Sequence, residues 1–270
     1  MNLEKLVRQN ILNLIPYSSA RDEYSGSSAV FLDANENPFN HPYNRYPDPF
    51  QTKLKKKIAS LKQCDSENVF IGNGSDEAID LLIRIFCEPG KDNIVAISPT
   101  YGMYKVAADI NNVEYRKAPL NEDFSLNIGN IKSSIYHNTK MLFICSPNNP
   151  TSNSFPEDEL EKLASELELI LVVDEAYIDF SERKSLKNSI KEQSNIVVLQ
   201  TFSKAWGLAG IRLGIALADK AIIELLGKVK YPYNMNSLTQ EFAVKRLEDD
   251  VKMNKWVNEI LENRKKLERK

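Results

Sequence analysis

Short apolar runs alternate with amphipathic segments from residue 69 onward. Runs rich in Val, Ile and Leu predict strands at 69–72, 93–98, 140–146, 169–174 and 195–200, and a further apolar run follows at 211–217. Continuous apolar strands separated by amphipathic helices are typical of a mostly parallel sheet that helices cover on both faces. The pattern therefore predicts an α/β fold.

Three amphipathic helices are predicted between these strands, because apolar residues recur at i, i+3, i+4 and i+7. Their expected buried stripes are Ile79, Leu82, Ile83 and Phe86; Met103, Val106, Ala107 and Ile110; and Leu160, Leu163, Ala164 and Leu167. The third helix opens with Pro156 and three acidic residues, which suit the first turn of a helix.

The two ends of the chain lack this alternation. We expect an N-terminal arm at 1–30 with a loop at 21–28, a large domain at 31–240, and the start of a small C-terminal domain at 241–270. Asn, Pro and Asp dominate residues 30–49, which predicts a loop. The last helix carries a stripe of Met253, Trp256, Val257 and Ile260 that no later element would cover.

Polar residues follow each predicted strand. They occupy positions 72–76, 99–101, 146–150, 174–177 and 201–204. Ligands of such sheets bind outside the carboxyl ends of the strands. We therefore expect these clusters to meet at one edge of the sheet.

The stretch 197–214 carries the strongest chemical signal. It places Lys204 just after a buried strand, beside Thr201, Ser203 and Arg212. Burial of a lysine favours its neutral, nucleophilic amine, which can bond to a carbonyl as a Schiff base. Hydroxyls and a guanidinium suit a phosphate. An aldehyde that carries a phosphate, bound to a lysine, describes pyridoxal phosphate, although a solvated loop lysine is the simpler interpretation of Lys204 alone.

Residues 72–76, with the sequence GNGSD, resemble an anion cradle. Gly74 lets the backbone approach closely, and a helix that starts near Ser75 offers free N–H groups. Ser75 and Asp76 would serve equally well as ordinary helix caps. With Ser203 and Arg212 the segment would form a phosphate site.

Three further clusters could hold the cofactor ring. Asp174 closes a buried strand, where a carboxylate needs a partner: a protonated pyridine nitrogen, a helix cap or a salt bridge. Tyr177 and Asn149 can donate hydrogen bonds to a phenolic oxygen. Tyr101 could stack on the ring or belong to the core.

The bulk composition excludes other classes of protein. A net charge of −2 over 270 residues gives no electrostatic reason to bind nucleic acid or a membrane surface. No apolar run reaches the ~18 residues of a membrane span, and residues 1–16 lack the pattern of a signal peptide. Cys64, Cys87 and Cys145 show neither metal nor disulfide spacing. We expect a cytoplasmic protein without a metal site.

Five motifs in order, GNGSDEAIDL, PTYGMY, SPNNPT, VVDEAY and TFSKAWGLAGIRLG, resemble the fold-type I pyridoxal-phosphate aminotransferases. The sequences LDANENPF and YNRYPDP are most similar to those of the histidinol-phosphate aminotransferases within that family. The resemblance extends from about residue 14 to the C-terminus. It implies the family's large sheet domain, an N-terminal arm and a small C-terminal domain.

The resemblance also implies roles for individual residues. Lys204 would bond to the cofactor and shuttle the proton of the substrate α-carbon. The cofactor would be held by Gly74, Ser75, Asp76, Tyr101, Asn149, Asp174, Tyr177, Thr201, Ser203 and Arg212, and by Tyr46 of a second subunit. Tyr17 and Asn35 would lie by the substrate. The implied unit is a homodimer that exchanges an amino group between L-histidinol phosphate and 2-oxoglutarate, which gives imidazole acetol phosphate and L-glutamate.

The chain departs from the family pattern twice. Ser152 stands where the pattern NPTG has glycine, which costs backbone freedom. Family members continue into a small domain whose arginines grip the substrate, so we expect a C-terminally shortened chain with an incomplete substrate site. Aromatic aminotransferases and threonine-phosphate decarboxylases share most motifs and remain alternatives, as does an inactive chain that binds pyridoxal phosphate. An NAD-binding module is disfavoured because no GxGxxG follows a strand.

Overall fold

The computed structural model describes residues 3–18 and 30–268, so the predicted loop at 21–28 lies outside the described residues. The described residues form one seven-stranded sheet in the order β1-β7-β6-β5-β4-β2-β3. The strands are β1 Val69–Asn73, β2 Asn93–Ser98, β3 Glu114–Pro119, β4 Thr139–Cys145, β5 Ile170–Asp174, β6 Ile196–Thr201 and β7 Leu213–Ala218. β7 runs antiparallel to both of its neighbours, and the pairs from β6 to β3 are parallel.

The five predicted strands are confirmed, and the apolar run at 211–217 becomes β7. The sequence EYRKAP of β3 was not predicted as a strand. Among the described strands β3 pairs only with β2, at the edge of the sheet, and most of its side chains are exposed or half-buried. An edge strand needs no continuous apolar run, because one side of it faces solvent.

Helices cover both faces of the sheet. They are α1 Gln9–Leu12, α2 Thr52–Lys62, α3 Ser75–Phe86, α4 Met103–Ile110, α5 Ile128–Ser134, α6 Glu157–Glu166, α7 Lys220–Val229, α8 Ser237–Arg246 and α9 Asp250–Glu268. The apolar sides of α2, α5, α6, α8 and α9 join the core of one face, and those of α1, α3, α4 and α7 join the core of the other. None of the described helices is long and apolar enough to cross a membrane.

The prediction of which side of α4 is buried is wrong. Val106 is 44% exposed and Ile110 69% exposed, whereas Tyr104, Ala107 and Ala108 are buried. The ring of Tyr104 stacks on Phe143 of β4, with the ring centroids 4.8 Å apart. Apolar residues lie on both sides of this helix, so spacing alone could not fix which side meets the sheet.

The stripe of α9 is partly covered by the rest of the chain. Met253 and Val257 are buried in the core that α9 shares with α2 and α8, so elements earlier in the chain cover them; the expectation concerned only later elements. Ile260 is exposed, as expected. The division into an arm, a large domain and a small domain stays a prediction.

Candidate functional site

A cavity of about 200 Å³ lies at the carboxyl ends of the parallel strands. Every candidate cofactor residue of the sheet domain lines it: Gly74, Ser75, Asp76, Tyr101, Asn149, Asp174, Tyr177, Thr201, Ser203, Lys204 and Arg212. The expectation that the polar clusters meet at one edge of the sheet is therefore confirmed. The parallel arrangement of β2, β4, β5 and β6 is the physical reason, because it brings their carboxyl ends to the same edge.

One end of the cavity is built from backbone and one guanidinium. α3 begins at Ser75, and Gly74 before it has φ +79°, a conformation that side chains disfavour. The Gly74 N–H donates to the carbonyl oxygen of Arg212 at 2.8 Å, which brings this arginine to the first turn of α3. The Arg212 guanidinium lies 3.7 Å from the Asp76 carboxylate. A helix N-terminus beside a guanidinium suits a phosphate.

Asp174 is the buried carboxylate of the cavity. Its Oδ2 accepts a hydrogen bond from the Tyr104 hydroxyl at 2.8 Å, and its Oδ1 accepts one from the Ala176 N–H at 3.1 Å. Burial raises the pKa of Asp174 to about 6, against the two hydrogen bonds and the charge of Lys204, which lower it. No described lysine or arginine forms an ion pair with Asp174, so a salt bridge within the described residues does not explain it. A cationic N–H in the cavity would stabilise this carboxylate.

Lys204 is exposed at the mouth of the cavity, which corrects the expectation that it is buried. After β6 the chain turns, and Phe202, Ala205 and Trp206 occupy the buried positions of this loop. The Lys204 side chain is therefore left on the open side, with Nζ 5.4 Å from the ring centroid of Tyr177. From there the amine can be reached by a carbonyl group bound in the cavity.

Tyr101 closes one wall of the cavity and is half-buried. Its hydroxyl donates to Asp76 at 3.2 Å, and its ring packs edge to face on Tyr104, with centroids 5.6 Å apart. Burial, with the charge of Asp76, raises the pKa of Tyr101 to about 12. A ring that lines the cavity is available to stack on a flat ligand, which a pure core tyrosine would not be.

Asn149 and Tyr177 also line the cavity and are half-buried. Asn148, next to Asn149, fixes the loop after β4, and sequence reasoning gave it no role. Its Oδ1 accepts a hydrogen bond from Thr100 at 2.9 Å, and its Nδ2 donates to Pro99 and Thr151. The loops after β2 and β4 are thereby joined.

Tyr46, Tyr17 and Asn35 do not lie at this cavity within one chain. Tyr46 is 51% exposed and stacks on Tyr233, with ring centroids 4.5 Å apart. Tyr46 and Asn35 line a second cavity of about 570 Å³, and Tyr17 lines a third of about 790 Å³. All three belong to the segments before β1, and none of them is among the residues that line the cavity of Lys204.

A buried polar cluster lies behind the turn that carries Asp174. Glu175 accepts hydrogen bonds from the Ser185 hydroxyl at 2.5 Å, the Leu186 N–H at 2.8 Å and the Gln200 amide at 2.8 Å. Burial raises the pKa of Glu175 to about 7, against these hydrogen bonds and the charge of Lys62. This cluster joins β5 to β6 directly behind the cavity. The sequence signal for this cluster was the charged Glu175 directly after the apolar strand β5.

The residues present fit pyridoxal phosphate. The cradle at α3 and Arg212 suits the phosphate, the buried Asp174 suits a protonated ring nitrogen, and Lys204 at the mouth suits the aldehyde. The anion cradle also requires glycine at position 214, which sequence reasoning missed. A Cβ there would lie 2.1 Å from the backbone nitrogen of Ser75, so any side chain would displace the cradle.

Comparison with known proteins agrees with this geometry. A family described as aminotransferase class I and II matches residues 23–270. The chain is 56% identical to the histidinol-phosphate aminotransferase of Parabacteroides distasonis over 268 residues, which are 99% of this chain and 78% of that protein. Identity to the histidinol-phosphate aminotransferase of Bacteroides thetaiotaomicron is 54% over 267 residues, which are 98% and 77% of the two chains.

A solved structure has the same fold. It is the histidinol-phosphate aminotransferase from Sinorhizobium meliloti in complex with pyridoxal-5'-phosphate, with a TM-score of 0.77 at 23% identity, over 83% of this chain and 62% of that chain. This chain thus spans under two thirds of that solved chain and about three quarters of the curated relatives. The family match, the identity to relatives and the shared fold lead to one conclusion: the chain belongs to the class I and II aminotransferases.

Proposed function

We propose that this chain binds pyridoxal phosphate and transfers the amino group of L-histidinol phosphate to 2-oxoglutarate. The relatives at 54–56% identity carry the name of that enzyme. The observation that carries the proposal is the shared cavity: a buried carboxylate, an exposed lysine amine and an anion cradle all face it. The products would be imidazole acetol phosphate and L-glutamate.

The lining of the cavity supports the following arrangement of the cofactor. The cradle at Gly74, Ser75 and Asp76, with Thr201, Ser203 and Arg212, would hold the phosphate. Asp174 would pair with the ring nitrogen, Asn149 and Tyr177 would hold the ring oxygen, and Tyr101 would cover a ring face. When bound, pyridoxal phosphate supplies an electron sink for breaking bonds at the substrate α-carbon.

The chain's own side chains would then handle the protons. The Lys204 amine lies at the open mouth, where it can accept the proton of the substrate α-carbon and return it to another atom. The Asp174 carboxylate would hold a proton on the ring nitrogen, because a charge-assisted hydrogen bond in a buried site strongly favours the charged pair. Tyr177 beside Lys204 would orient the amine.

We further propose a homodimer in which Tyr46 reaches the phosphate in the partner subunit. The exposure of Tyr46 and its position in a cavity other than that of Lys204 support this. Tyr17 and Asn35 would line the substrate side of the assembled site. A cytoplasmic location is proposed from the free thiols of Cys64, Cys87 and Cys145, which suit a reducing compartment.

The test is an amino-transfer assay on the purified chain with pyridoxal phosphate. L-histidinol phosphate and 2-oxoglutarate should yield L-glutamate, and Lys204→Ala should abolish it. Phenylalanine and O-phosphothreonine are the competing substrates, because aromatic aminotransferases and threonine-phosphate decarboxylases share the cofactor motifs. Faster turnover of either would contradict the proposed substrate. Cofactor binding without any product would favour the inactive pyridoxal-phosphate-binding chain.

A further inference from the structure

Tyr104 is a fully buried aromatic residue that contacts Asp174 of the cavity lining. It comes from the first turn of α4, its ring stacks on Phe143 of β4 at 4.8 Å between centroids, and its edge supports the ring of Tyr101 at 5.6 Å. Its hydroxyl donates to Asp174 Oδ2 at 2.8 Å. One side chain thus touches both the residue proposed to cover the cofactor ring and the carboxylate proposed to hold its nitrogen.

We propose that Tyr104 is a positioning residue of the amino-transfer site, which aims the Asp174 carboxylate and keeps it ionised. This inference rests on the proposed function for its catalytic consequence, although its effect on Asp174 exists without the cofactor. The Ala176 N–H is bonded to Oδ1, so Tyr104 supplies the hydrogen bond to the other oxygen. Without it, Oδ2 would lose a charge-assisted donor inside a buried site.

The electrostatic surroundings of Asp174 favour this role. Its titratable neighbours are Asp76 at the start of α3, Tyr101 before α4, Tyr104 in α4, Cys145 at the end of β4 and Lys204 after β6. Of these, Asp76 disfavours the ionised carboxylate, whereas Lys204 and the Tyr104 hydrogen bond favour it.

Tyr104 can act only as a donor to the ionised carboxylate in the neutral range. Burial and the nearby Asp174 hold the pKa of Tyr104 well above its ordinary value, so its hydroxyl stays protonated. Since burial alone pushes Asp174 toward its neutral form, loss of this donor should move the titration of Asp174 to higher pH.

The experiment follows the Asp174 side-chain carboxyl carbon by NMR across pH in the full chain without cofactor. The wild type should titrate near pH 6, and Tyr104→Phe should raise the midpoint by about one to two pH units, the shift expected for one hydrogen bond to a charged group. Phe143→Leu is the matched control, because it disturbs the packing of Tyr104 but keeps its hydroxyl, and its midpoint should stay near that of the wild type.

Two outcomes would overturn the proposal: an unchanged midpoint in Tyr104→Phe, or an equal shift in Phe143→Leu. If Tyr104→Phe does not fold, 3,5-difluorotyrosine at position 104 tests the same hydrogen bond, because its more acidic hydroxyl is a stronger donor. It should move the Asp174 midpoint to lower pH, and no movement would contradict the proposal.

A second readout links Tyr104 to turnover. In the loaded enzyme, Tyr104→Phe should move the acidic limb of the kcat profile to higher pH and leave KM for the amino donor unchanged, because Tyr104 touches no substrate. An altered KM with an unmoved kcat profile would contradict positioning through Asp174. Failure of the proposed function looks different: the wild type would make no glutamate while the Asp174 titration still responded to Tyr104→Phe.

Discussion

The backbone nitrogen of Ser75 occupies the space that a Cβ on Gly214 would need. The built Cβ would lie 2.1 Å from that nitrogen and 2.3 Å from the carbonyl carbon of Gly74. β7 and the start of α3 therefore touch backbone to backbone, beneath the anion cradle. This contact sets the position of the cradle relative to Arg212, whose carbonyl accepts the Gly74 N–H.

Gly214→Ala should weaken binding of pyridoxal phosphate by at least about tenfold and destabilise the fold by about 1–3 kcal/mol, the usual cost of overpacking. Calorimetric titration with the cofactor and urea unfolding measure the two effects. Gly210→Ala is the matched control, because no heavy atom lies within 4 Å of the added Cβ. Cofactor affinity in Gly214→Ala equal to that of Gly210→Ala would show that the cradle does not depend on this contact.

Ser152→Gly should stabilise the chain. Ser152 is exposed and has φ +66°, in the left-handed region, at the position where the family pattern has glycine. Removal of its Cβ should relieve strain and raise the free energy of unfolding by up to about 1 kcal/mol. The same change in the last turn of α6, Ser165→Gly, should lower it by up to about 0.5 kcal/mol. Urea unfolding of both variants tests this, and a change of the same sign in both would refute it.

Glu175 should make the fold less stable as pH rises from about 4.5 to about 7. Its pKa rises from 4.5 to about 7 on folding, mainly through burial. Between these values the folded chain holds a proton that the unfolded chain has lost, so stability falls as pH increases and the cost is complete above pH 7. Asp174 adds the same trend with a pKa of about 6.

Glu175→Gln should remove the contribution of Glu175. The free energy of unfolding should be measured by urea unfolding at pH 5 and at pH 8. The difference between the variant and the wild type should shift in favour of the variant by about 2 kcal/mol from the lower pH to the higher. The Gln200 Oε1 atom is buried without a described hydrogen-bond partner, so a flip of that amide can accept the new N–H. Glu122→Gln, at an exposed position, controls for the loss of one charge. Equal gains in the two variants would exclude buried Glu175 as the source.

Most of the sheet could be predicted because a parallel strand buried on both faces must be apolar throughout. That requirement is visible at 93–98 and 169–174, and it also locates the polar residues that follow each strand. β3 was not predicted because an edge strand does not need a continuous apolar run, and its sequence EYRKAP is mostly polar.

The site was predictable in its residue types and less so in its geometry. The motifs placed Asp174 and Lys204 at one edge, and the structure agrees. The exposure of Lys204 could not be foreseen, because it depends on Phe202 and Trp206 taking the buried positions of the same loop. Tyr104 was missed because helical spacing does not decide which side of α4 faces the sheet. The hydrogen bond from its hydroxyl to Asp174 joins residues that are far apart in sequence, so only the tertiary fold shows it.

The central claim is that Lys204 is the residue to which the cofactor bonds. Purified chain should be mixed with pyridoxal phosphate, reduced with borohydride, digested and examined by mass spectrometry, with Lys204→Ala alongside. We expect a single dominant modified peptide that carries Lys204 in the wild type, and no dominant modified lysine in the variant. Dominant modification of another lysine, or wild-type levels of fixed cofactor in Lys204→Ala, would contradict it.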